Sequence, residues 1–389
     1  MNSRIAKICF LLFLMLVTVS NIVTSYETYV VVRAVRVIIL ILVTIGFVIY
    51  VRSLNSGFVL YLYLFLVYVL SILIYENDPI YIIDFVVLLL GIPFVSFVLK
   101  HYSQKDELQY IFSLLIFFYC SISLTLFLDG FNLDGAFLFN LAYQSEEFGD
   151  SSGYSLGLSN IYGLFTVIFL YRYLANGSNR MLYAVSAILA AALTFLGGGR
   201  GEIMAVLVTI IFTMSYWILS AKQKSLPGVA FFASVVVVLF SFSFYSLIEY
   251  SLTVSRFVTL FDGNFSSRDM LLLQGFKLLS DNVNCLIFGC GVGFFQNYFG
   301  YDLSMYPHNF IMEFIISFGL FAFIFVFVFL MIGLHKHHRS FGQLSLISII
   351  VFYQFLIALK SGYVVGTHLL MVLIICFFSL GLSKGAKHA

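Results

Sequence analysis

Charge is the scarcest thing in this sequence. Lys and Arg number 20, Asp and Glu 18, and together they make up 10% of 389 residues, where a soluble globular domain carries roughly 25%. So thin a supply falls short of covering a water-soluble fold of this size, which argues against a soluble enzyme with a single anchor. The near balance of the two signs excludes the basic footprint of a nucleic-acid binder. Proline is also rare, at 4 residues, so little interrupts long helices. The 5 cysteines fall in no metal-ligand spacing, and no metal site is expected. Cys9, Cys120 and Cys376 lie in apolar runs as small hydrophobes. Cys285 and Cys290 can pair if their loop lies in an oxidising compartment, with free thiols as the simpler reading. A GxxxxGK[ST] loop is missing too, which excludes an ATP-driven pump.

What the chain has in abundance is apolar and aromatic: 62% of it is hydrophobic, with 46 Phe and 25 Tyr. A membrane-crossing helix needs about 20 mostly apolar residues. Runs of that kind recur at roughly 6–25, 34–51, 58–75, 80–99, 110–128, 155–174, 181–197, 203–221, 228–248, 308–334, 343–360 and 363–382. The expectation is an all-α, polytopic integral membrane protein of about 12 transmembrane helices, forming a single domain over 1–389. With the N-terminus inside, alternation collects Arg52, Lys100, Lys105, Lys222, Lys224, Lys336 and Arg339 in inner segments, as the positive-inside rule requires. Both termini are then cytoplasmic. The acidic segment 129–154 and a long loop at 249–307 face outward.

Basic residues on the outer side are exceptions to that rule, and several coincide with turn chemistry. Arg200 sits in Gly197-Gly198-Gly199-Arg200-Gly201-Glu202, at the start of a predicted helix. Glycine frees the backbone there, and unpaired N–H groups at a helix N-terminus attract anions, phosphate above all. The plainer alternative is a hairpin sealed by an Arg200–Glu202 pair. In the long loop, Ser266-Ser267-Arg268-Asp269 has capping-box spacing, and Leu271, Leu272, Phe276 and Leu279 continue it as an apolar stripe. This predicts a short helix on the outer membrane surface with Arg268 at its beginning and Lys277 further along, Arg256 lying one segment earlier. Arginines so placed either bind a ligand or snorkel to lipid phosphates. The glycines of Phe288-Gly289-Cys290-Gly291-Val292-Gly293-Phe294 read as a tightly packed turn rather than a dinucleotide loop, because no βαβ pattern surrounds them. After them Tyr306-Pro307-His308-Asn309 opens an apolar run that contains Glu313 and Gly319. A carboxylate within such a run is costly and should face a cavity or a cation.

In its order, this arrangement resembles the O-antigen polymerase and O-antigen ligase superfamily of bacterial membrane glycosyltransferases. It consists of a glycine-rich Arg200-Gly201-Glu202 turn, a long loop with an arginine, a GxGxG segment, then His308-Asn309 with Glu313 and Gly319. The likeness covers about residues 155–335. It implies a GT-C-like helical fold and an enzyme using a polyprenyl-diphosphate-linked (undecaprenyl-type) glycan donor without cofactor. The site would face the periplasm from the bacterial inner membrane, with 249–307 as its large periplasmic loop. In that scheme His308, Arg200, Arg268 and Glu313 are the catalytic candidates. Arg256, Asn309, Glu202, Gly201 and Lys277 are the substrate-binding ones. Fixed guanidinium groups would meet charge growing on the leaving diphosphate, and His308 suits a general base near neutral pH. The expected function is an O-antigen polymerase in surface polysaccharide biosynthesis. It would work beside the lipid bilayer and a chain-length-regulating membrane protein, with no nucleic acid. Alternatives are an O-antigen ligase acting on lipid A core and a lipid-linked oligosaccharide flippase or other transporter. The ligase pattern places x-Ser after its histidine, whereas this chain has His308-Asn309-Phe310.

Overall fold

The computed structural model describes residues 114–116, 118–120, 122, 156–175, 179–196, 200–220, 267–301, 305–341 and 346–361. Every regular element among them is an α-helix, in chain order α1 (Leu156–Leu174), α2 (Arg180–Leu196), α3 (Arg200–Ser220), α4 (Ser267–Asp281), α5 (Val283–Phe288), α6 (Phe294–Phe299), α7 (Phe310–Phe341) and α8 (Leu346–Ser361).

The expected architecture needs correction. Among the described residues one helical stretch, Phe310–Gly333, is long and apolar enough to cross a membrane, and the apolar helices Arg180–Thr194, Gly201–Trp217 and Ser348–Lys360 are shorter. The polytopic, GT-C-like fold of about 12 spans is therefore not what this structure presents. The multi-pass inner-membrane location, with cytoplasmic termini and a periplasmic site, goes with it. The expected runs at 6–25, 34–51, 58–75, 80–99, 228–248 and 363–382 lie outside the described residues. Helix α1 gives the physical reason. Residues 165–171 are buried without interruption, around two full turns. A helix packed on every side carries the same unbroken apolar signal as a lipid-crossing one.

Around α1 the chain builds its larger core. Phe118 meets the rings of Tyr162, Phe165 and Phe169 at centroid distances of 6.0, 5.2 and 5.2 Å, within the range of favourable aromatic pairing. Tyr183, Ala187 and Ala190 of α2, at helical spacing, are buried in the same cluster. The small side chains of Ala187 and Ala190 let α2 approach α1 closely. Ala205, Val206, Ile210 and Met214 of α3 and Ile349, Tyr353 and Ile357 of α8 complete it. Three buried threonine hydroxyls are satisfied within their own helices: Thr166 donates to the Tyr162 carbonyl at 2.9 Å, Thr209 to Ala205 and Thr213 to Thr209 at 2.7 Å each. Such back-bonding hides polar groups without a partner helix.

The second core lies in 267–341. Leu271, Leu278 and Leu279 of α4 pack with Cys285, Cys290, Phe295, Met312 and Ile316. The helix expected in the long loop is present, yet its stripe faces inward through Leu271, Leu278 and Leu279, leaving Phe276 exposed. Gly275 lets α4 lie against Met312 and Pro307.

Helix α7 is broken at Gly319, whose φ of 84° and ψ of 165° are non-helical. The carbonyls of Ile316 and Ser317, which precede the break, take N–H donors from elsewhere: Cys290 N at 2.7 Å and Gly291 N at 3.1 Å. A helix end buried without such donors would be costly. Gly289 leaves α5 with nearly the same backbone, φ 82° and ψ 159°, in a region that essentially glycine alone enters. The two glycines meet face to face. A Cβ on Gly289 would lie 2.6 Å from the Phe318 backbone, and one on Gly319 would lie 2.7 Å from the Gly289 nitrogen. Cys285 and Cys290 are joined as a disulfide, with Cα atoms 4.9 Å apart, contrary to the expectation of free thiols. The bridge ties α5 to the segment that caps α7. The GxGxG stretch is thus a packed turn, as its composition suggested, and its N–H groups at 290 and 291 serve a helix end rather than a phosphate.

Candidate functional site

Three helix ends meet where the two cores adjoin: the start of α3, the start of α7 and the last turn of α8. Glu202, in the first turn of α3, is 2% exposed. Its carboxylate accepts two hydrogen bonds from the Lys360 ammonium ion, at 2.8 and 3.1 Å. The lysine itself keeps 27% exposure. An acid at a helix N-terminus and a cation at a helix C-terminus each oppose the local dipole favourably. The pair therefore sits where both helices stabilise it. Glu202 thus reaches a residue 158 positions away; the alternative pairing with Arg200 rests on a side chain outside those described.

Asn309 performs two tasks at the entrance of α7. Its side-chain oxygen accepts from the Met312 N–H at 3.0 Å, an N-cap contact that occupies one of the free donors of the first turn. Its amide nitrogen donates to the Leu359 carbonyl at 3.1 Å, satisfying a terminal carbonyl of α8. Leu359 and Lys360, adjacent in sequence, so hold the starts of α7 and α3 respectively.

His308 precedes this cap with φ 50°, a left-handed conformation uncommon outside glycine though histidine enters it more readily than most. Its ring lies against Tyr306, centroids 3.9 Å apart. Helix α7 begins at Phe310, so Pro307, His308 and Asn309 form the approach to the helix. Glu313 is in the first turn and 3% exposed, with its backbone N–H donating to the Asn309 carbonyl at 3.0 Å.

Behind the ion pair runs a buried polar seam. The Tyr353 hydroxyl donates to the Asn160 carbonyl at 3.0 Å, and Gln354 donates to the Asn160 side-chain oxygen at 3.4 Å. Tyr353 lies fully buried against Gly163, where any Cβ would displace it. Burial above all, and the Glu202 carboxylate in addition, push its phenol well above the usual value near 10.0.

Of the residues singled out in the sequence, the structure joins Gly201, Glu202 and Asn309 through Leu359 and Lys360, with His308 beside Asn309 and Glu313 one turn on. Arg200 is the first residue of α3 and Arg268 the second of α4. Lys277 is exposed on α4, three residues before Ser280, whose hydroxyl donates to its carbonyl at 2.7 Å. Arg256 lies outside the described residues. Sequence reasoning missed Lys360 as a partner, and Tyr353, Gln354 and Asn160 altogether. The one signal was Lys360 itself, a cation at the end of an apolar run, which needs a counter-ion. No group of three or more metal-ligating side chains occurs among the described residues.

No protein-family model matches the chain, and no curated protein matches it. The resemblance to the O-antigen polymerase and ligase superfamily is accordingly not upheld. The motifs behind it are short, and the described helices do not supply the many-span scaffold that family function requires. The polymerase, ligase and flippase readings, with their place in envelope polysaccharide biosynthesis, fall together.

Proposed function

We propose that the chain is an enzyme of the glycosyltransferase kind, taking its glycan from a polyprenyl diphosphate donor. The observation that carries the reading is the meeting of Gly201-Glu202, His308-Asn309 and Leu359-Lys360 at three helix ends. In the donor, the bond from the anomeric carbon to the diphosphate oxygen breaks while a hydroxyl of the acceptor attacks. Negative charge grows on the departing diphosphate and a proton leaves the hydroxyl. The α3 and α7 N-termini offer N–H groups and positive dipole ends suited to that charge, and Arg200 at the first position of α3 adds a guanidinium ion. His308 is the side chain matched to take the proton near neutral pH. Lys360 offsets part of the negative charge that the buried Glu202 carboxylate would otherwise present to an anion.

The test is release of polyprenyl diphosphate from a purified polyprenyl-diphosphate-linked glycan by the full-length protein, with a free oligosaccharide supplied as the hydroxyl acceptor. His308→Ala should lower the rate by about 10²–10⁴-fold and Arg200→Ala by about 10²–10³-fold. Folded variants that turn over donor at the wild-type rate would remove both residues from the chemistry, and a wild-type protein without turnover would remove the enzyme.

A further inference from the structure

Glycine at position 201 has a structural cause that the motif alone does not reveal. The aliphatic stem of Lys360 crosses the beginning of α3 there, and a Cβ on Gly201 would fall among Cγ, Cδ and Cε of that stem. Any side chain at 201 would push the lysine stem off this path. Beyond the crossing, Nζ reaches both oxygens of Glu202, which is almost wholly buried. One residue earlier, the Leu359 carbonyl accepts from Asn309, the cap of α7. The final turn of α8 thereby fixes the start of α3 and the start of α7 relative to one another, although they are far apart in the chain.

We propose that Lys360 is a positioning residue for the transfer reaction, an inference that rests on the reading given above. Its ammonium ion is committed to Glu202, so it acts through Glu202 and the α3 terminus rather than as a ligand for the donor. The consequence is a specific kinetic signature. A misplacement of about 1 Å in a reacting group lowers turnover by about 10²-fold, while a lost ligand cation weakens donor binding.

The experiment measures kcat and KM for the polyprenyl-diphosphate-linked glycan with full-length wild type, Lys360→Met, Lys360→Arg, Gly201→Ala and the Gly201→Ala/Lys360→Met double variant. Lys360→Met should lower kcat by about 10²-fold with KM within about threefold of wild type. Lys360→Arg, which keeps the charge and the grip on Glu202, should restore most of kcat. Gly201→Ala, which displaces the stem while leaving every charge in place, should reproduce the kcat loss. The double variant should then be no worse than either single one, because both remove the same contact.

A raised KM with unchanged kcat in Lys360→Met would make the lysine a donor ligand and overturn the positioning role. Unchanged kcat with only a lower melting temperature would make it a seal between helices, and equally overturn it. If Lys360→Met does not fold, Gly201→Ala decides: wild-type kcat there overturns the proposal, and a kcat loss with unchanged KM supports it. Absence of turnover in the wild type sinks the enzyme reading and this role together, whereas normal wild-type turnover with insensitive variants sinks only the role of Lys360.

Discussion

Around α1 the helices are joined by a broad core of buried side chains; in 267–341 two glycine backbones press directly on each other. The first region is held by large surfaces, with seven consecutive buried residues on α1 and a ring cluster about Phe118. Its stability is spread over many dispersion contacts, each small. The second is held at points: Gly289 against Gly319, two N–H donors into a broken helix, and one disulfide. Removing one spread contact forfeits a small part of the total, whereas a Cβ added at either glycine meets backbone that has no rotamer to yield. His308 and Asn309 lead into the point-held half of α7 and Glu313 lies on it, while Glu202 and Lys360 belong to the broadly packed bundle. The candidate site therefore spans two regions with different mechanical rules.

The largest single effect on the second region is expected from Gly319→Ala. The substitution adds a Cβ among backbone atoms that have no rotamer to yield, and it places alanine at a φ of 84°. Strain and overpacking together should destabilise the 267–341 region by about 4 kcal/mol, and Gly289→Ala should do nearly the same. Amide hydrogen exchange is the measurement. Protection at Cys290, Gly291 and through the first half of α7 should fall strongly, while α1 and α2 keep theirs. Equal loss throughout α1 would mean a single cooperative unit, and the distinction between the regions would disappear.

A smaller effect should follow from Cys285→Ser/Cys290→Ser. The bridge closes a loop of sequence separation 5, and a loop that short restricts the unfolded chain by roughly 2 kcal/mol. Chemical denaturation with an intrinsic probe in α4–α7 should register that loss, with the same exchange pattern as the glycine variants but weaker. A loss larger than that of Gly319→Ala would show that the bridge, rather than the glycine contact, sets the position of the capping segment.

Much of the local structure was legible from residues alone. Ser267-Arg268-Asp269 announced α4 and Arg200-Gly201-Glu202 announced α3, because caps and turn residues act on their immediate neighbours. The glycines at 289–293 were recognisable as a packed turn for the same reason. What stayed hidden depends on residues that meet across the chain. Nothing near Gly319 distinguishes a helix break from an ordinary glycine in an apolar run; the distinction is made by donors at 290 and 291. The Glu202–Lys360 pair is 158 residues apart, so the sequence offered Glu202 only the nearer Arg200, and that as the plainer alternative to an anion site. The number of spans was over-read because an apolar run reports burial without saying what does the burying.

The finest discrimination between the regions comes from Tyr353, deep in the bundle. Replacing it with Phe removes the hydroxyl that donates to the Asn160 carbonyl, and should cost about 1 kcal/mol at neutral pH. The more telling result is its dependence on pH. In the unfolded chain this phenol ionises near 10.0, and in the folded chain its pKa is raised well above that, by burial first and by Glu202 second. Its contribution is therefore fully present below pH 10 and declines as pH rises above it, because the unfolded chain alone releases the proton. Melting temperatures of wild type and Tyr353→Phe should differ by a constant amount up to about pH 10 and converge beyond it. Adding Glu202→Gln should leave most of the alkaline decline in place, since burial is the larger cause. If that variant abolished the decline, the carboxylate would be the dominant influence on Tyr353, and the bundle's polar seam would be governed by charge at the candidate site rather than by packing.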